Sequence, residues 1–316
     1  MGVMSAPDNR ISLQKLEVFC KVVDLGSVRR AAEELYISQP VVSAHLRSLQ
    51  DRIGARLFER DGRGIALTEA GHEAYRWASE VLRGRLELQS SLQNLSGGTS
   101  GTVVVATSMS VGTYILTPVL IDFRREYEQA SITLLISGVE QALDTSLTGR
   151  ADMCVIATDA VLDTNAFDAE LIAEPGFCLV ASTSSRLAGD LVRPEELNGM
   201  PFVCPPGGLA IRRAQDGALA SIGVVNRRVE IELGNAEAIK QAVEADLGLG
   251  LLWRASVRKE LDRGTLREVV IDGADLRDKL YLVTRRGKRP TPLQRRLAQA
   301  IHDDAVRRFG PLAPAE

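Results

Sequence analysis

Apolar residues recur at helical spacing through the first part of the chain, and small polar residues mark where the helices start. One apolar stripe predicts a helix from Leu13 to Leu25, which Gly26 ends. A second, shorter helix is predicted from Val28 to about Leu35. Its adjacent alanines, Ala31 and Ala32, would let a neighbouring helix approach closely. The pattern therefore predicts a compact helical unit at the N-terminus.

A third helix is predicted to begin after Ser38, whose hydroxyl can accept a backbone N–H of the first turn. Pro40 falls in that turn, where the missing N–H of proline does no harm. One face of the helix carries an apolar stripe made of Val42, Leu46, Leu49 and Ile53. The opposite face is polar and free of acidic residues before Asp51, and it presents Gln39, Pro40, Ser43, Ala44 and Arg47.

A short hairpin with a basic tip is predicted to follow the third helix. Asp61-Gly62 is a strong signal for a two-residue turn. Apolar residues flank the turn on both sides, at 57–58 and at 65–67. The arginines around it are Arg56, Arg60 and Arg63. A basic hairpin beside a helix-turn-helix is typical of a wing, which reaches the sugar-phosphate backbone or the minor groove of DNA.

These N-terminal features predict DNA binding. A helix that presents Gln, Ser and Arg from its N-terminal half suits the base edges of a major groove, while residues at the start of the second helix and on the wing suit phosphates. The alternative is a helical hairpin with a purely structural role, and the basic hairpin that follows favours DNA binding over it. The predicted DNA-binding residues are Ser27, Arg29, Ser38, Gln39, Pro40, Ser43, Arg47, Arg60 and Arg63.

A long helix is predicted to begin at Thr68, as its cap, and to end near Leu95. Its apolar stripe recurs close to heptad spacing and consists of Trp77, Val81, Gly84, Leu88, Leu92 and Leu95. Burial of this stripe within its own domain is one interpretation. Pairing with a second copy of the chain is favoured, because a single helix cannot bury such a stripe against itself. We therefore expect a homodimer through this helix, with a homotetramer as the larger assembly.

The stretch 96–101, rich in Gly and Ser, predicts a flexible hinge between an N-terminal domain and a C-terminal one. Beyond it, apolar runs that predict strands alternate with helical patterns, and this alternation implies an α/β fold with a mostly parallel sheet. The strands are predicted at 102–106, 132–136, 153–157, 177–181, 201–204, 229–233, 249–252 and 280–284. The closing segment, 292–309, is predicted to be an amphipathic helix.

Polar residues and glycines follow several of these strands. In open α/β sheets, small ligands bind at the carboxyl ends of strands, where helix N-termini offer unpaired N–H groups. Any one of these residues alone can be an ordinary helix cap, but together they outline a ligand cleft. The predicted effector-binding residues are Thr107, Ser108, Ser110, Ser137, Gly138, Gly207, Gly208 and Asn235.

The segment from Ala31 to Gly71 strongly resembles the N-terminal domain of LysR-type transcriptional regulators. The matching residues are Ala31, Ala32, Leu35, Ser38, Gln39, Pro40, Ser43, Gly54, Leu57, Phe58, Arg60, Arg63, Thr68, Ala70 and Gly71. The resemblance implies a winged helix-turn-helix domain over 1–67, a dimerisation helix over 68–95, and a hinge over 96–101. It also implies that Gln39, Pro40 and Ser43 face bases and that the wing arginines face phosphates.

The C-terminal part, 102–316, resembles the effector domain of the same regulators, a two-lobed fold akin to periplasmic solute-binding proteins. Segments 110–116 and 232–250 look most like a subgroup that contains regulators of sulfur and carbon assimilation. The resemblance implies one lobe over about 102–157 with 271–309, and a second lobe over about 158–270. It further implies a sequence-specific regulator whose binding to promoter DNA is modulated by a small molecule in the cleft.

Two departures from the family pattern change these expectations. The family often has Arg after the second Ser of the helix motif, where this chain has Ala44, so a different base preference is expected at that step. The subgroup tends to have a Gly-Ser-Gly-Thr-Arg turn that suits an anion, where this chain has Gly207-Gly208-Leu209-Ala210-Ile211. We therefore expect a smaller or less polar organic acid as effector, and no phosphate compound.

Composition excludes several other classes. The 316 residues have 45% hydrophobic content and a net charge of −3, and DNA binding needs only a local excess of basic residues, as between Arg47 and Arg63. No apolar window is long enough to span a membrane, and residues 1–10 do not resemble an export signal, so a transport receptor is disfavoured and a cytoplasmic location expected. The four cysteines are scattered and predicted to be buried, and the three histidines do not cluster as a metal site would.

An enzyme is disfavoured for lack of a catalytic motif. Gly248-Leu249-Gly250 is only a fragment of a dinucleotide-binding fingerprint, and it leads into a predicted strand. The sequence contains no phosphate-binding loop, nucleophile elbow or zinc-protease motif. No cofactor and no metal are predicted.

Overall fold

The computed structural model of the protein describes residues 11–61, 64–94 and 100–312. The chain divides into two compact units, Met1–Ser96 with Thr148–Arg150, and Gly97–Leu147 with Ala151–Glu316. The division falls within the hinge expected at 96–101, of which residues 96–99 lie outside the described part.

The N-terminal unit consists of helices and one small hairpin. Its elements are α1 (Leu13–Leu25), α2 (Val28–Glu34), α3 (Gln39–Ile53), β1 (Phe58–Asp61), β2 (Gly64–Leu67) and α4 (Glu69–Asn94). The hairpin is antiparallel, with Asp61 paired to Gly64. The apolar stripe of α3 faces the core as predicted, because Val42, Leu46 and Leu49 are buried among α1 and α4 side chains.

The helix boundaries follow from local backbone chemistry, with one correction. Gly26 ends α1 in the left-handed conformation at φ 61°, and the Ser27 hydroxyl accepts the N–H of Arg30 at 3.3 Å. Ser38 occupies the N-cap position of α3, but its hydroxyl makes no cap hydrogen bond, so that prediction is wrong. The reason is that Pro40 has no N–H to offer, and the N–H of Val41 bonds to the backbone carbonyl of Ser38 instead.

The wing is held to the end of α3 and the start of α4. Gln50 on α3 accepts the N–H of Leu57 through Oε1 at 2.9 Å. Thr68 caps α4 as predicted, because its hydroxyl accepts the N–H of Gly71 at 3.0 Å, and the same hydroxyl donates to the carbonyl of Arg56 at 2.7 Å. A Cβ on Gly71 would lie 2.1 Å from the Leu57 carbonyl oxygen, so only glycine allows α4 to pack this closely.

The C-terminal unit has two lobes. One lobe holds β3 (Gly101–Ser108), a π-helical turn (Val111–Leu116), α5 (Thr117–Glu126), β4 (Ala130–Ser137), α6 (Val139–Leu147), β5 (Met153–Ala157), β6 (Phe167–Ala173), β13 (Leu280–Arg285) and α10 (Pro292–Phe309). The other holds β7 (Phe177–Ser182), β8 (Leu191–Val192), β9 (Pro201–Cys204), α7 (Ala210–Ser221), β10 (Arg228–Glu232), α8 (Ala236–Glu244), β11 (Gly250–Trp253), α9 (Arg254–Arg263) and β12 (Leu266–Ile271).

The expectation of a mostly parallel sheet is wrong, because both lobes contain mixed sheets. In the first lobe the strand order is β4-β3-β5-β13-β6, and β13 runs antiparallel to both of its neighbours. Strand–helix–strand connections make β3, β4 and β5 parallel. Strand β13 instead enters from the second lobe without an intervening helix, so nothing forces it into the parallel direction.

The first crossing between the lobes lies later in the chain than the sequence suggested. Strand β6 pairs with β13 along its whole length, so residues 158–173 belong to the first lobe and not to the second. The two crossings are the segments 174–176 and 272–279, and they touch through a bridge between Gly176 and Arg277. The N–H of Asp278 also donates to the carbonyl of Pro175 at 3.0 Å.

Candidate DNA-binding surface and effector cavity

The N-terminal edge of α3 presents an exposed and mostly polar surface. Its exposed residues are Ser38, Gln39, Pro40, Val41, Ala44 and Arg47, while Ser43 is half-buried. Because the opposite stripe of α3 is buried, the helix is fixed with this edge outward. An edge that offers an amide, hydroxyls and a guanidinium can hydrogen-bond to base edges and phosphates.

The predicted phosphate-binding residues differ in their surroundings. Ser27 uses its hydroxyl oxygen as the cap of α2, which leaves the hydroxyl proton available to an acceptor. Arg29 is exposed but forms an ion pair with Glu33 at 3.0 Å, which offsets part of its charge. The side chain of Arg60 on β1 lies outside the described part of the structure, and Arg63 lies outside it altogether.

Tyr36 is a candidate that the sequence reasoning missed. It lies in the turn between α2 and α3 with φ at 56°, and its side chain is 95% exposed. A bulky residue in the left-handed region is unusual and is worth a functional explanation. The available signal was an aromatic residue placed two positions before the Ser38-Gln39-Pro40 motif.

Helix α4 buries one side and exposes part of the predicted seam. Ala74, Tyr75 and Ala78 are buried against the core of the first unit. Trp77 and Leu88, by contrast, are 43% and 61% exposed. Leu95 lies outside the described residues, and the side chain of Leu92 is likewise not described. Burial within its own unit therefore accounts for only one face of this helix.

A cavity of about 280 Å³ lies between the two lobes of the C-terminal unit. It is bordered by the ends of β3, β4 and β5 from one lobe, and by the first turns of α7 and α8 with the end of β11 from the other. Five of the predicted effector-binding residues line it, namely Ser108, Ser110, Ser137, Gly138 and Asn235. Asn235 also caps α8, accepting the N–H of Ala238 at 2.9 Å.

Three predicted effector-binding residues do not line the cavity. Thr107 is fully buried within β3, and its hydroxyl donates to the carbonyl of Val155 at 2.6 Å. The strand continues to Ser108 because its last residues pair with β4, so the polar turn begins later than predicted. Gly207 and Gly208 are exposed on the loop before α7, and the following residues Leu209 and Ala210 reach the cavity instead.

The cavity also contains residues that the sequence reasoning missed. Met109, Gln215, Trp253 and Asp278 line it, and Gln215 is fixed because its amide donates to the carbonyl of Leu251 at 2.6 Å. Asp278 is 5% exposed, and burial raises its pKa to about 6. Asp278 lies outside any strand or helix pattern of the sequence, so no sequence signal marked it as a cavity residue.

Basic side chains near the cavity are engaged elsewhere. Arg212, which lies beyond the glycine turn, donates to the carbonyl of Pro205 at 2.8 Å and forms ion pairs with Asp216 and Glu232 at 3.0 and 3.1 Å. No Lys, Arg or His is among the described residues that line the cavity. The anion-binding turn found in the subgroup therefore has no counterpart among the side chains of this wall.

The cysteines are buried as predicted, and all four are unpaired thiols. Burial raises the pKa of Cys20 to about 11 and the pKa of Cys154 to about 12, which keeps both thiols protonated at neutral pH. Within residues 11–61, 64–94 and 100–312, no group of His, Cys, Asp and Glu is arranged to hold a metal ion. Over the same residues, no helix is both long and apolar enough to cross a membrane.

A winged helix-turn-helix unit joined in one chain to a two-lobed unit with a ligand-sized cavity defines a ligand-responsive DNA-binding regulator. Residues 13–72 match the family model of the bacterial regulatory helix-turn-helix protein of the lysR family, and residues 96–305 match the LysR substrate binding domain. The chain belongs to the LysR family, and it is a transcriptional regulator with a DNA-binding domain and an effector-binding domain.

Relatives of known description agree with this assignment. The RuBisCO operon transcriptional regulator of Allochromatium vinosum is 30% identical over 302 residues, covering 94% of this chain and 97% of that protein. A probable RuBisCO transcriptional regulator from Nostoc sp. is 28% identical over 306 residues, covering 96% of this chain and 90% of that protein. These names agree with the resemblance to regulators of carbon assimilation.

Solved structures share the fold. A full-length OxyR variant from Pseudomonas aeruginosa superposes with a TM-score of 0.71 at 18% identity, over 94% of this chain and 95% of that one. CbnR in complex with its target DNA superposes with a TM-score of 0.67 at 19% identity, over 93% of this chain and 100% of that one. At this level of identity the comparison shows a common fold alone, and the ligands of those proteins are not assigned to this one.

Proposed function

We propose that this regulator binds two-fold related DNA half-sites as a homodimer, and that a small molecule in the inter-lobe cavity changes how it holds them. The exposed N-terminal edge of α3 is the observation that carries the proposal. Two such edges, one from each copy, would enter successive major grooves, and their separation would set the spacing of the half-sites.

Roles on the DNA follow from side-chain chemistry. We assign Gln39, Pro40 and Ser43 to base edges, with Ala44 able to pack only against a thymine methyl group. Ser27, Arg29, Ser38 and Arg47 would contact phosphates, together with the wing residues Arg60 and Arg63. Tyr36 joins this set because its exposed ring lies in the turn that leads into α3, two positions before the Ser38-Gln39-Pro40 motif.

The dimer proposal is supported by α4. Trp77 and Leu88 leave apolar surface exposed on the helix that the family uses for dimerisation, and a partner helix would cover it. Dimers joined through their C-terminal units would give the expected homotetramer. Because promoter DNA is the partner, we place the protein's action in the cytoplasm.

The effector proposal is supported by the cavity and its polar border. The cavity of about 280 Å³ is lined by Ser108, Ser110, Ser137, Gly138 and Asn235, and its volume is close to the lower limit of about 300 Å³ for small-molecule pockets. A small organic acid could be held by helix N-termini, and no side-chain cation is available for a phosphate compound. A ligand that prefers one arrangement of the lobes would shift the regulator between two modes of DNA binding.

A role without catalysis is part of this proposal. Gly248 and Gly250, the fragment of a dinucleotide fingerprint, have structural explanations. A Cβ on Gly248 would lie 2.9 Å from the Pro201 carbonyl oxygen, and one on Gly250 would lie 2.9 Å from a methyl of Val243. Close packing against β9 and α8 accounts for both glycines, and no phosphate is needed to explain them.

The test is a footprint on the DNA beside the protein's own gene, with and without candidate metabolites. We expect protection over a two-fold site, and a change in the length of the protected region with one compound. A protein that shows no preference for any duplex over random DNA at moderate salt would contradict the DNA part. Tight calorimetric binding of a phosphorylated metabolite would contradict the effector part.

A further inference from the structure

The cavity wall contains a single ionisable side chain among its described residues, and that side chain is acidic. Asp278 lies on the second crossing between the lobes and is 5% exposed. Its Oδ1 accepts the N–H of Lys279 at 2.8 Å, while its Oδ2 is buried with no hydrogen-bond partner among the described residues. A buried carboxylate oxygen without a partner is costly, so a protein retains one where something else completes it.

Trp253 adds a second unpaired polar atom to the same wall. It ends β11, is 3% exposed, and lines the cavity with Asp278. The indole N–H lies close enough to Asp278 to lower the pKa of the carboxyl, but Nε1, like Oδ2, makes no hydrogen bond of full geometry within the described structure. Two orphaned polar atoms in one apolar wall indicate a place prepared for a polar ligand group.

The charges around Asp278 leave its carboxylate uncompensated. Burial raises the pKa of Asp278 to about 6, and the carboxylate of Asp159 raises it further. The N–H of Lys279 and the indole of Trp253 act to lower this pKa. Arg213 is turned toward Asp159, at 3.8 Å, and Arg277 pairs with Asp275 at 2.8 Å. At neutral pH the cavity therefore holds one negative charge, and a purely anionic ligand would be repelled by it.

Helix N-termini supply the opposite potential across the cavity. The first turns of α6, α7 and α8 border it through Val139, Ala210 and Ala236, and these helices have 9, 12 and 9 residues. The first backbone N–H groups of a helix have no acceptor within the helix and favour a negative group. The cavity thus offers one position suited to a cation and others suited to a carboxylate.

We propose that the effector is a small zwitterion of amino-acid type, whose ammonium group pairs with Asp278 and whose carboxylate lies at these helix N-termini. The inference rests on the proposed effector cavity and specifies its ligand class. The volume of about 280 Å³ suits a molecule of amino-acid size, since it lies just below the range of about 300–1,000 Å³ that holds larger ligands. The ligand supplies the hydrogen-bond donor that Oδ2 lacks.

Calorimetry on the full-length protein tests this with matched triplets of compounds. Each L-amino acid is titrated beside its deaminated acid and its decarboxylated amine, for example norvaline beside pentanoate and butylamine. We expect at least one amino acid to bind at least tenfold more tightly than either matched compound. Asp278→Asn should weaken binding of that amino acid at least tenfold and should not weaken binding of the matched acid, because it keeps the shape and removes the charge that attracts an ammonium group and repels a carboxylate.

Two further measurements separate a binding role of Asp278 from a structural one. Gly138→Leu should weaken binding of every ligand in the cavity, since Gly138 lines the cavity and an added Cβ meets no atom within 4 Å, so a large side chain can be added at this border without displacing the protein. Lowering the pH from about 7.5 to about 5 should weaken binding of the amino acid to the native protein, and should not weaken its binding to the Asp278→Asn variant.

The outcomes are distinguishable from failure of the effector proposal itself. A matched acid that binds as tightly as its amino acid at about pH 7.5 overturns the zwitterion and leaves effector sensing intact. Amino-acid binding that survives Gly138→Leu also overturns it, because the site would lie elsewhere. Absence of binding by every amino acid overturns it, and a footprint that no metabolite changes would overturn the effector proposal as well.

Discussion

The hydroxyl of Tyr114 donates a hydrogen bond to the carboxylate of Glu237 at 2.5 Å, and this bond joins the two lobes of the C-terminal unit. Tyr114 lies in the π-helical turn of one lobe, and Glu237 lies in the first turn of α8 in the other. Burial, together with the neighbouring carboxylate, raises the pKa of Tyr114, so the hydroxyl remains a donor at neutral pH. The same turn of α8 borders the cavity, so a ligand in the cavity and this hydrogen bond would both contact the start of α8.

Tyr114→Phe should weaken the interaction between the two lobes of the C-terminal unit. The ring would remain near Lys240, whose Nζ lies 5.6 Å from the ring centroid, so only the hydroxyl is lost. A hydrogen bond to a charged group contributes about 1.5–3 kcal/mol, and we expect the lower end because Glu237 is exposed. The measurements are the thermal midpoint and hydrogen exchange in α8, which should be faster in the variant. Tyr281→Phe is the control, since its hydroxyl has no hydrogen bond within the described structure, and equal effects of both would contradict the assignment.

Gly71→Ala should destabilise the DNA-binding unit by about 1–3 kcal/mol, because the added methyl overpacks the contact with Leu57. The new Cβ would lie 2.1 Å from a backbone oxygen and 2.9 Å from a methyl of Leu67, and the backbone cannot move aside cheaply. Far-UV circular dichroism during thermal unfolding measures the effect. Glu73→Ala, at an exposed position one half-turn on, should change stability by no more than about 1 kcal/mol. Equal midpoints for the two variants would show that the packing adjusts.

Asp278 should make the stability of the C-terminal unit depend on pH. Its pKa is about 6 in the folded protein against an ordinary value of 3.8, so the folded state binds the proton more tightly. The free energy of unfolding should therefore fall as the pH rises from about 4 to about 6, by up to about 3 kcal/mol from this residue. Asp278→Asn should remove this slope and be the more stable protein at pH 7 in the absence of ligand.

Thermal midpoints are measured at a series of pH values for the native protein and for the variant. The difference between the two midpoints at each pH removes the contribution of the other titrating groups. Asp275→Asn is the matched control, because Asp275 lies on the same crossing with a side chain that is 70% exposed. A native protein more stable than Asp278→Asn at pH 7 would mean that the carboxylate has a partner in the folded state.

The N-terminal unit could be predicted from sequence because its signals are local. The periodicity of α3, the glycine after α1 and the arginine-flanked hairpin each act within a few residues, and the helix boundaries at Leu13, Leu25 and Val28 are as predicted. The hairpin exists, but the two-residue turn predicted at Asp61-Gly62 is wrong, because Asp61 belongs to β1 and pairs with Gly64. A second exception is also local, since the missing N–H of Pro40 deprived the Ser38 hydroxyl of a partner. Competition between a side chain and the backbone for one N–H is not visible in a pattern of apolar residues.

The cavity could be predicted only in part because its wall is assembled from distant segments. Ser108 and Ser137 end strands and Asn235 follows one, so all three lie where the rule for open sheets places ligand contacts, and so they were found. Thr107 was misplaced because pairing with β4, and not composition, decides where β3 ends. Asp278 was missed because it lies on a crossing segment, where neither strand nor helix periodicity applies and only the tertiary fold brings it to Trp253.

Gln39→Ala should abolish sequence preference on DNA while it spares weak binding that depends on salt. The side chain is exposed at the first position of α3, so its removal should leave the fold intact and delete a bidentate group for a base edge. The expected loss is about 1–3 kcal/mol on the preferred site and little on random DNA, measured by fluorescence anisotropy at several salt concentrations. Equal loss on both would indicate a structural role.

Ala44→Arg is the complementary change at the position where the chain departs from its family. Ala44 is exposed on the same edge of α3, so a guanidinium there would extend outward without disturbing the buried stripe. We expect the variant to add or change discrimination at one base pair of each half-site, because Arg can bond to guanine where a methyl cannot. Selection of binding sites from random DNA measures this, and identical preferred half-sites for both proteins would contradict it.

Leu88→Asp should weaken the proposed dimer. Leu88 is 61% exposed on α4 and lies on the same helical stripe as Trp77. A partner helix that covers both residues would have to bury the new carboxylate without a counter-charge. Sedimentation at micromolar protein should show a shift toward monomer, and affinity for a two-fold site should fall while affinity for a single half-site stays the same. Val161→Asp is the control, because Val161 is 99% exposed on a loop outside the seam and should sediment as the native protein does. A Leu88→Asp protein that keeps the native mass and the native affinity for the two-fold site would exclude this face of α4 from the contact between copies.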